Sequence, residues 1–381
     1  MRIALVLENF DPLAGGLEKW TASLAAFLLD GGHDVHVVAF GEANHALPVA
    51  MTILPPIAGI WQRGEAVATA LRDLPVDVVH DTGLGWSGDV YHPQTGSRLV
   101  SQARLVATQT LLRRVRAAIS PVSIRWRYDM ARVERRQIQG ANQVVAVSRL
   151  VRSHLCAQHG LREDQLTVIP NGVETEKFAG QRLDPLRRDA RARIDAGASV
   201  LFLASAFNMH LKGVDTAIRA LGILTAAGAD ARLVVAGARA DETWHRLAAD
   251  LGVADRVAFL GPVEDMVPLF AAADVLVHAT RWDACSLSTI EGQAAGLPVI
   301  TTAMNGAAEL IDDGVTGYVL PDPEDIGALS ARMRALLDPI VRRRIGDAAR
   351  QAARAFDLTN NLAAVEQVLL AAAGDRKSRL G

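Results

Sequence analysis

The feature that most limits what this chain can fold into is a rhythm. Short apolar runs recur, each emptying into a polar or glycine-bearing loop and then into a stretch with helical spacing. The runs are Arg2–Leu7, His33–Ala39, Val76–His80, Val144–Ser148, Val200–Ser205, Arg232–Gly237, Arg256–Gly261, Val275–Val277 and Val299–Thr302. Buried strands alternating with helices predict strand–helix–strand units and a parallel sheet, hence an α/β chain. With 381 residues, half of them apolar, the chain exceeds one ordinary core and suits two domains.

The most informative unit lies between Ala273 and Val319. Strand Val275–Val277 leads into the polar loop His278–Ser286, then a helix from Leu287 to Ala295, a stop at Gly296-Leu297-Pro298, and strand Val299–Thr302. Such a loop leaves the carboxyl end of a strand, where open α/β sheets bind ligands. The helix start at Ser286, Leu287 and Ser288 presents backbone N–H groups suited to a phosphate. Asp283 in the loop and Glu291 in the helix are placed to face one crevice, a site for a ligand with phosphate and several hydroxyls. Glu291 has a second reading: Ser288-Thr289-Ile290-Glu291 fits a capping box.

The run from His278 to Glu291, then Gly296-Leu297-Pro298-Val299-Ile300 and Asn305-Gly306-Ala307-Ala308-Glu309-Leu310, resembles the donor-site signature of retaining glycosyltransferases of family 4. The wording is most similar to the bacterial lipopolysaccharide-core branch. The family motif has two acids separated by seven residues, usually both Glu; here Asp283 shortens the first by one methylene. The resemblance spans nearly the whole chain and is thinnest between about 85 and 135. It implies a GT-B fold, two Rossmann-like domains with parallel sheets facing across a cleft and a C-terminal helix crossing back to the N-domain. The expected domains are 1–182, with the crossing helix 357–375, and 190–355, with a linker between Phe178 and Gly197.

The same resemblance assigns expectations to residues. Glu291 holds ribose hydroxyls and Asp283 sugar hydroxyls of a UDP-, GDP- or ADP-sugar donor. Lys212, at the mouth of the unit formed by Val200–Ser205 and the helix Val214–Ala226, holds the diphosphate. Relatives often carry an Arg six residues before that Lys; here Ala206 stands there, so His210, Arg281 or helix N–H groups are left as the second phosphate partner. Gly15 and Gly16 open the first helix, where a backbone approaches a diphosphate. Gly237 and Val263 line the nucleotide side. His92, with His80 as competitor, ends a strand where relatives touch the sugar or acceptor; a histidine hydrogen-bonded in place is the plain alternative.

Arg98 to Arg136 is the one strongly basic segment, with apolar and aromatic residues interleaved. A solvated helical face and a surface meeting anionic lipid both fit. The net charge of −2 gives no reason to expect nucleic acid. Two cysteines, Cys156 and Cys285, form no disulfide framework or zinc pattern. No window is long enough to span a bilayer and no signal segment stands out, so the expected location is cytoplasmic with peripheral attachment to the inner membrane face. The GxGxxG fingerprint is absent, which argues against a nicotinamide enzyme. No cofactor and no metal are expected. The expected activity is transfer of a sugar to a glycan or lipid-linked glycan of the cell envelope; a nucleotide-sugar epimerase and a non-catalytic sugar-nucleotide sensor are the alternatives.

Overall fold

The computed structural model describes residues 1–11, 15–41, 46–109 and 111–380. Part of the loop Glu8–Gly16 therefore lies outside the described residues. The chain divides into two compact units, Met1–Pro170 with Asn360–Gly381, and Asn171–Thr359.

The first unit holds a seven-stranded sheet in the order β3-β2-β1-β4-β5-β6-β7. Its strands are β1 (Arg2–Leu7), β2 (Asp34–Phe40), β3 (Ala50–Leu54), β4 (Val78–Asp81), β5 (Val90–Tyr91), β6 (Gln143–Ala146) and β7 (Leu166–Val168). Every pairing is parallel. Ile3 through Leu7 are wholly buried, because helices cover both faces of such a sheet; that is why the strand reads as a continuous apolar run. The last helix, Leu358–Leu380, belongs here. Asn361 Oδ1 accepts from Trp20 Nε1 at 2.7 Å, and His33 Nε2 meets Glu366 Oε1 at 2.9 Å.

In this unit two elements lie beyond the sequence expectation, β3 and the helix Ile60–Arg72. β3 pairs only with β2 and has no fully buried residue, so an edge strand lacks the apolar run that marks the others. The basic segment folds as three helices, Arg98–Ala107, Leu111–Ile119 and Pro121–Gly140.

The second unit holds a six-stranded parallel sheet in the order β10-β9-β8-β11-β12-β13. Its strands are β8 (Val200–Ala206), β9 (Ala231–Gly237), β10 (Val257–Gly261), β11 (Val275–His278), β12 (Val299–Thr302) and β13 (Gly317–Leu320). The stretch expected as an irregular or helical linker holds the helix Gly180–Arg193, which lies within this unit. Arg187 and Arg191 pin it to Asp274 at 2.5 and 3.1 Å. Its Arg- and Asp-rich composition reads as a linker, but Arg187 and Arg191 are tertiary anchors.

In each sheet the strand order reverses once, between β1 and β4 and between β8 and β11. Loops leaving the carboxyl ends of two such strands diverge to opposite faces and open a crevice. In the second unit those loops carry Lys212 and Asp283.

Candidate functional site

The loop after β8 is locked against the loop after β11. Gly213 begins the helix Val214–Ala226 with φ +68, and a Cβ there would lie 1.9 Å from Ala279 O. Only glycine permits both the left-handed turn and that approach. Leu211 O accepts from Arg281 N at 2.8 Å and from Thr280 Oγ1 at 3.0 Å. The next residue, Lys212, is thereby held beside the second loop, and its Nζ donates to Asp283 Oδ2 at 2.5 Å.

Asp283 has a second partner, His278, which closes β11. His278 Nε2 stands 3.2 Å from Asp283 Oδ2, while its Nδ1 is buried without a hydrogen-bond partner. Burial lowers the pKa of this ring, although Asp283 pulls the other way. A neutral ring facing a carboxylate through Nε2 carries its proton on that nitrogen. Burial alone would raise the Asp283 carboxyl, but the Lys212 ammonium and the His278 ring together hold it well below the usual carboxylate range. Asp283 is therefore a fixed carboxylate.

Its backbone is held as firmly. Asp283 N donates to Met304 O at 3.0 Å and Gly306 N to Asp283 O at 2.9 Å. Buried Asn305 ties the two loops: its Oδ1 accepts from Ser286 N at 3.2 Å, and its Nδ2 donates to Thr289 Oγ1 and Thr301 Oγ1, each at 3.0 Å. Ser286 caps the helix Leu287–Ala294, its Oγ accepting from Thr289 N at 3.3 Å. Ser286 N and Thr289 N are thus occupied; among the described residues no acceptor takes Leu287 N or Ser288 N, the donors left for an anion. Because the cap is Ser286, Glu291 is the fifth helical residue, too far along for a capping box. That alternative is removed.

Arg281 is already engaged: it forks onto Asp215 with two bonds of 2.8 Å and reaches Glu324 and the His210 carbonyl. It braces the loop and is not an unclaimed phosphate cation. The His210 ring lies 4.6 Å from that of Trp244. Gly237 has φ +125, and a Cβ there would be 2.5 Å from Ala206 O, so it lets β9 end tightly beside β8. Val263 is half-buried in the turn after β10.

In the first unit Gly15 and Gly16 are exposed at the start of the helix Gly16–Asp30. His92, with His80, is fully buried, their ring nitrogens 3.1 Å apart, and Trp20 packs edge-on against His92. Trp20 belongs to the helix Gly16–Asp30, so the first helix of this unit covers both rings. His278 is the residue that sequence reasoning missed. Its one signal is a polar side chain closing an apolar run five positions before Asp283.

Comparison with known proteins agrees with this geometry. Residues 197–339 match the family described as Glycosyl transferases group 1, and residues 14–177 match Glycosyltransferase Family 4. A D-inositol 3-phosphate glycosyltransferase of Acidothermus cellulolyticus is 30% identical over 426 residues, covering 99% of this chain and 92% of that protein. A GDP-mannose-dependent alpha-(1-6)-phosphatidylinositol monomannoside mannosyltransferase of Mycobacterium tuberculosis is 28% identical over 343 residues, covering 84% and 85%. The crystal structure of WaaG, a glycosyltransferase involved in lipopolysaccharide biosynthesis, superposes with a TM-score of 0.79 at 23% identity, over 96% of this chain and 99% of that one. Two parallel Rossmann-like sheets, an acid-and-lysine crevice at a strand-order reversal, and relatives matched from end to end have one common meaning: this chain is a GT-B glycosyltransferase of family 4 that uses nucleotide sugars.

Proposed function

We propose that the protein transfers a sugar, with retention and without a metal, from a nucleotide-diphosphate sugar to a glycan or lipid-linked glycan acceptor. The observation that supports this best is the meeting of Lys212, Asp283 and the Leu287–Ser288 amides at one reversal point. When the bond from the anomeric carbon to phosphate breaks, negative charge grows on the leaving diphosphate. Lys212 spends one of its three donors on Asp283 and keeps two; with the helix-start amides it is arranged to meet that charge. Such preorganised donors are usually the largest catalytic contribution. Asp283, held ionised, accepts from sugar hydroxyls, and Glu291 from ribose hydroxyls.

The acceptor reading leans on two supports. The relatives above are named for inositol-based and phosphatidylinositol-based acceptors, and the WaaG match for lipopolysaccharide. The helix Leu111–Ile119 also leaves Leu111 73%, Leu112 79% and Ile119 70% exposed, and neighbouring Val122 is 78% exposed. Arginines 113, 114 and 116 flank them. Exposed apolar residues rimmed by cations fit the interface of an anionic membrane better than water alone. No described helix is long and apolar enough to cross a membrane, so attachment is peripheral in this reading.

The test is a thermal-shift panel of UDP-, GDP- and ADP-sugars, followed by a donor-hydrolysis assay with the stabilising donor. Sugar release that drops about 10²–10³-fold in Lys212→Ala is expected. Release of an epimerised sugar without an acceptor would select the epimerase, and binding with no turnover would select the sensor.

A further inference from the structure

Two arginines one helical turn apart, Arg132 and Arg136 on the helix Pro121–Gly140, lie on a platform of aromatic rings. Arg132 Cζ is 4.8 Å from the Trp61 ring centre and 5.5 Å from that of Tyr128. Arg136 Cζ is 4.2 Å from Trp86 and 5.2 Å from Trp61. The two indoles are themselves 4.8 Å apart.

The platform is fixed. Trp61 Nε1 donates to Glu65 Oε1 at 3.1 Å, which ties the ring to the next turn of its own helix. Trp86 is buried and fits against Gly64, where a Cβ would lie 2.1 Å from the ring. A guanidinium over an aromatic face is held there by cation–π attraction, and its N–H fork remains the group that grips phosphate with paired bonds.

Charge makes the second point. Among the described residues neither Arg132 nor Arg136 is paired with a carboxylate, although both are exposed. Arg125 of the same helix does find one, Asp129, at 3.6 Å. Like charges one turn apart repel, so two unneutralised guanidinia held side by side are arranged for an anion. A phosphate, with up to two negative charges and three acceptor oxygens, matches two forks better than a carboxylate does.

We infer that Arg132 and Arg136, backed by Trp61 and Trp86, form a phosphate-binding site separate from the Lys212 crevice. Its ligand is the phosphate of either a soluble phosphorylated acceptor or a lipid headgroup. The site stands on its own geometry and does not require the transferase reading.

The experiment is calorimetric titration of the full chain with inorganic phosphate, beside sedimentation with vesicles of phosphatidylglycerol or phosphatidylcholine. The double variant Arg132→Lys with Arg136→Lys keeps the charge and removes fork and stacking. Phosphate is expected to bind saturably and to weaken at least tenfold in this variant. It should be retained in Arg113→Lys with Arg114→Lys, and in Lys212→Ala, which separates it from the crevice. Unchanged binding in the Arg132/Arg136 variant, equal loss in the Arg113/Arg114 control, loss only with Lys212→Ala, or no saturable binding at all would overturn the inference. Parallel loss of phosphatidylglycerol binding in the Arg132/Arg136 variant assigns the headgroup. Vesicle binding that survives while phosphate binding is lost assigns the soluble ligand. A thermal midpoint within a few degrees of the parent, or the single Arg136→Lys change if the double variant misfolds, keeps the comparison valid.

Discussion

Lys212 Nζ and Asp283 Oδ2 meet at 2.5 Å although 71 positions separate them in the chain. β8 and β11 are hydrogen-bonded neighbours at the point where the strand order reverses, so their loops emerge side by side. The pair is partly shielded, with side-chain exposures of 21% and 17%. That leaves room for a ligand to displace water and share the lysine.

His278 is expected to act through Asp283. His278→Ala removes one of two partners of a carboxylate, a bond worth about 1.5–3 kcal/mol. Turnover with the donor should fall roughly 10- to 150-fold. His278→Gln, whose amide nitrogen reaches about as far as Nε2, should recover most of it. Steady-state rates and melting points of both variants check this; equal losses in Ala and Gln would reduce His278 to a core filler.

Gly213→Ala should be far more harmful than its composition suggests. The substitution meets a φ of +68 and a carbonyl oxygen at 1.9 Å, so strain and overpacking together cost about 2–5 kcal/mol. Gly228→Ala is the control: φ is +83 but nothing lies within 4 Å, and the cost should stay at the conformational level of roughly 1 kcal/mol. Denaturant midpoints of the two variants should separate clearly.

Mild acid should weaken the first unit. Burial lowers the pKa of His80 to about 4, and burial together with His80 lowers that of His92 well below its ordinary value. The unfolded chain then binds more protons than the folded one. The His80 contribution is complete above about pH 6.5 and is lost as pH falls toward about 4, an amount on the order of 3 kcal/mol. Asp283 has the opposite chemistry: its depressed carboxyl contributes above about pH 4 and loses that contribution only below it. A melting temperature that is flat between pH 4.5 and 6.5, or a slope unchanged in His80→Asn, would contradict this.

Membrane attachment is expected to need the apolar stripe as well as the charge. Replacing Leu111, Leu112 and Ile119 by Glu should abolish sedimentation with phosphatidylglycerol vesicles, since each inserted side chain supplies up to about 1.5–3 kcal/mol. Melting should change little, because all three are exposed. Donor hydrolysis in the absence of membrane should be unaffected.

The sequence by itself determined the class of fold and the local grouping of the candidate site around Asp283. Apolar runs such as Ile3–Leu7 and Val275–Val277 are written continuously because both faces of a parallel strand are buried. Asp283, Glu291 and the helix start at Ser286 lie within nine residues, so local spacing sufficed to group them. Tertiary structure decided what comes from far along the chain. It paired Lys212 with Asp283, spent Arg281 on Asp215 and Glu324, and put His278 behind the acid. It also roofed His80 and His92 with Trp20, and made Arg187 and Arg191 anchors for Asp274. In each case a polar side chain reads the same in sequence whether it is solvated, bridging or buried. Only the partner that folding brings to it fixes which it becomes.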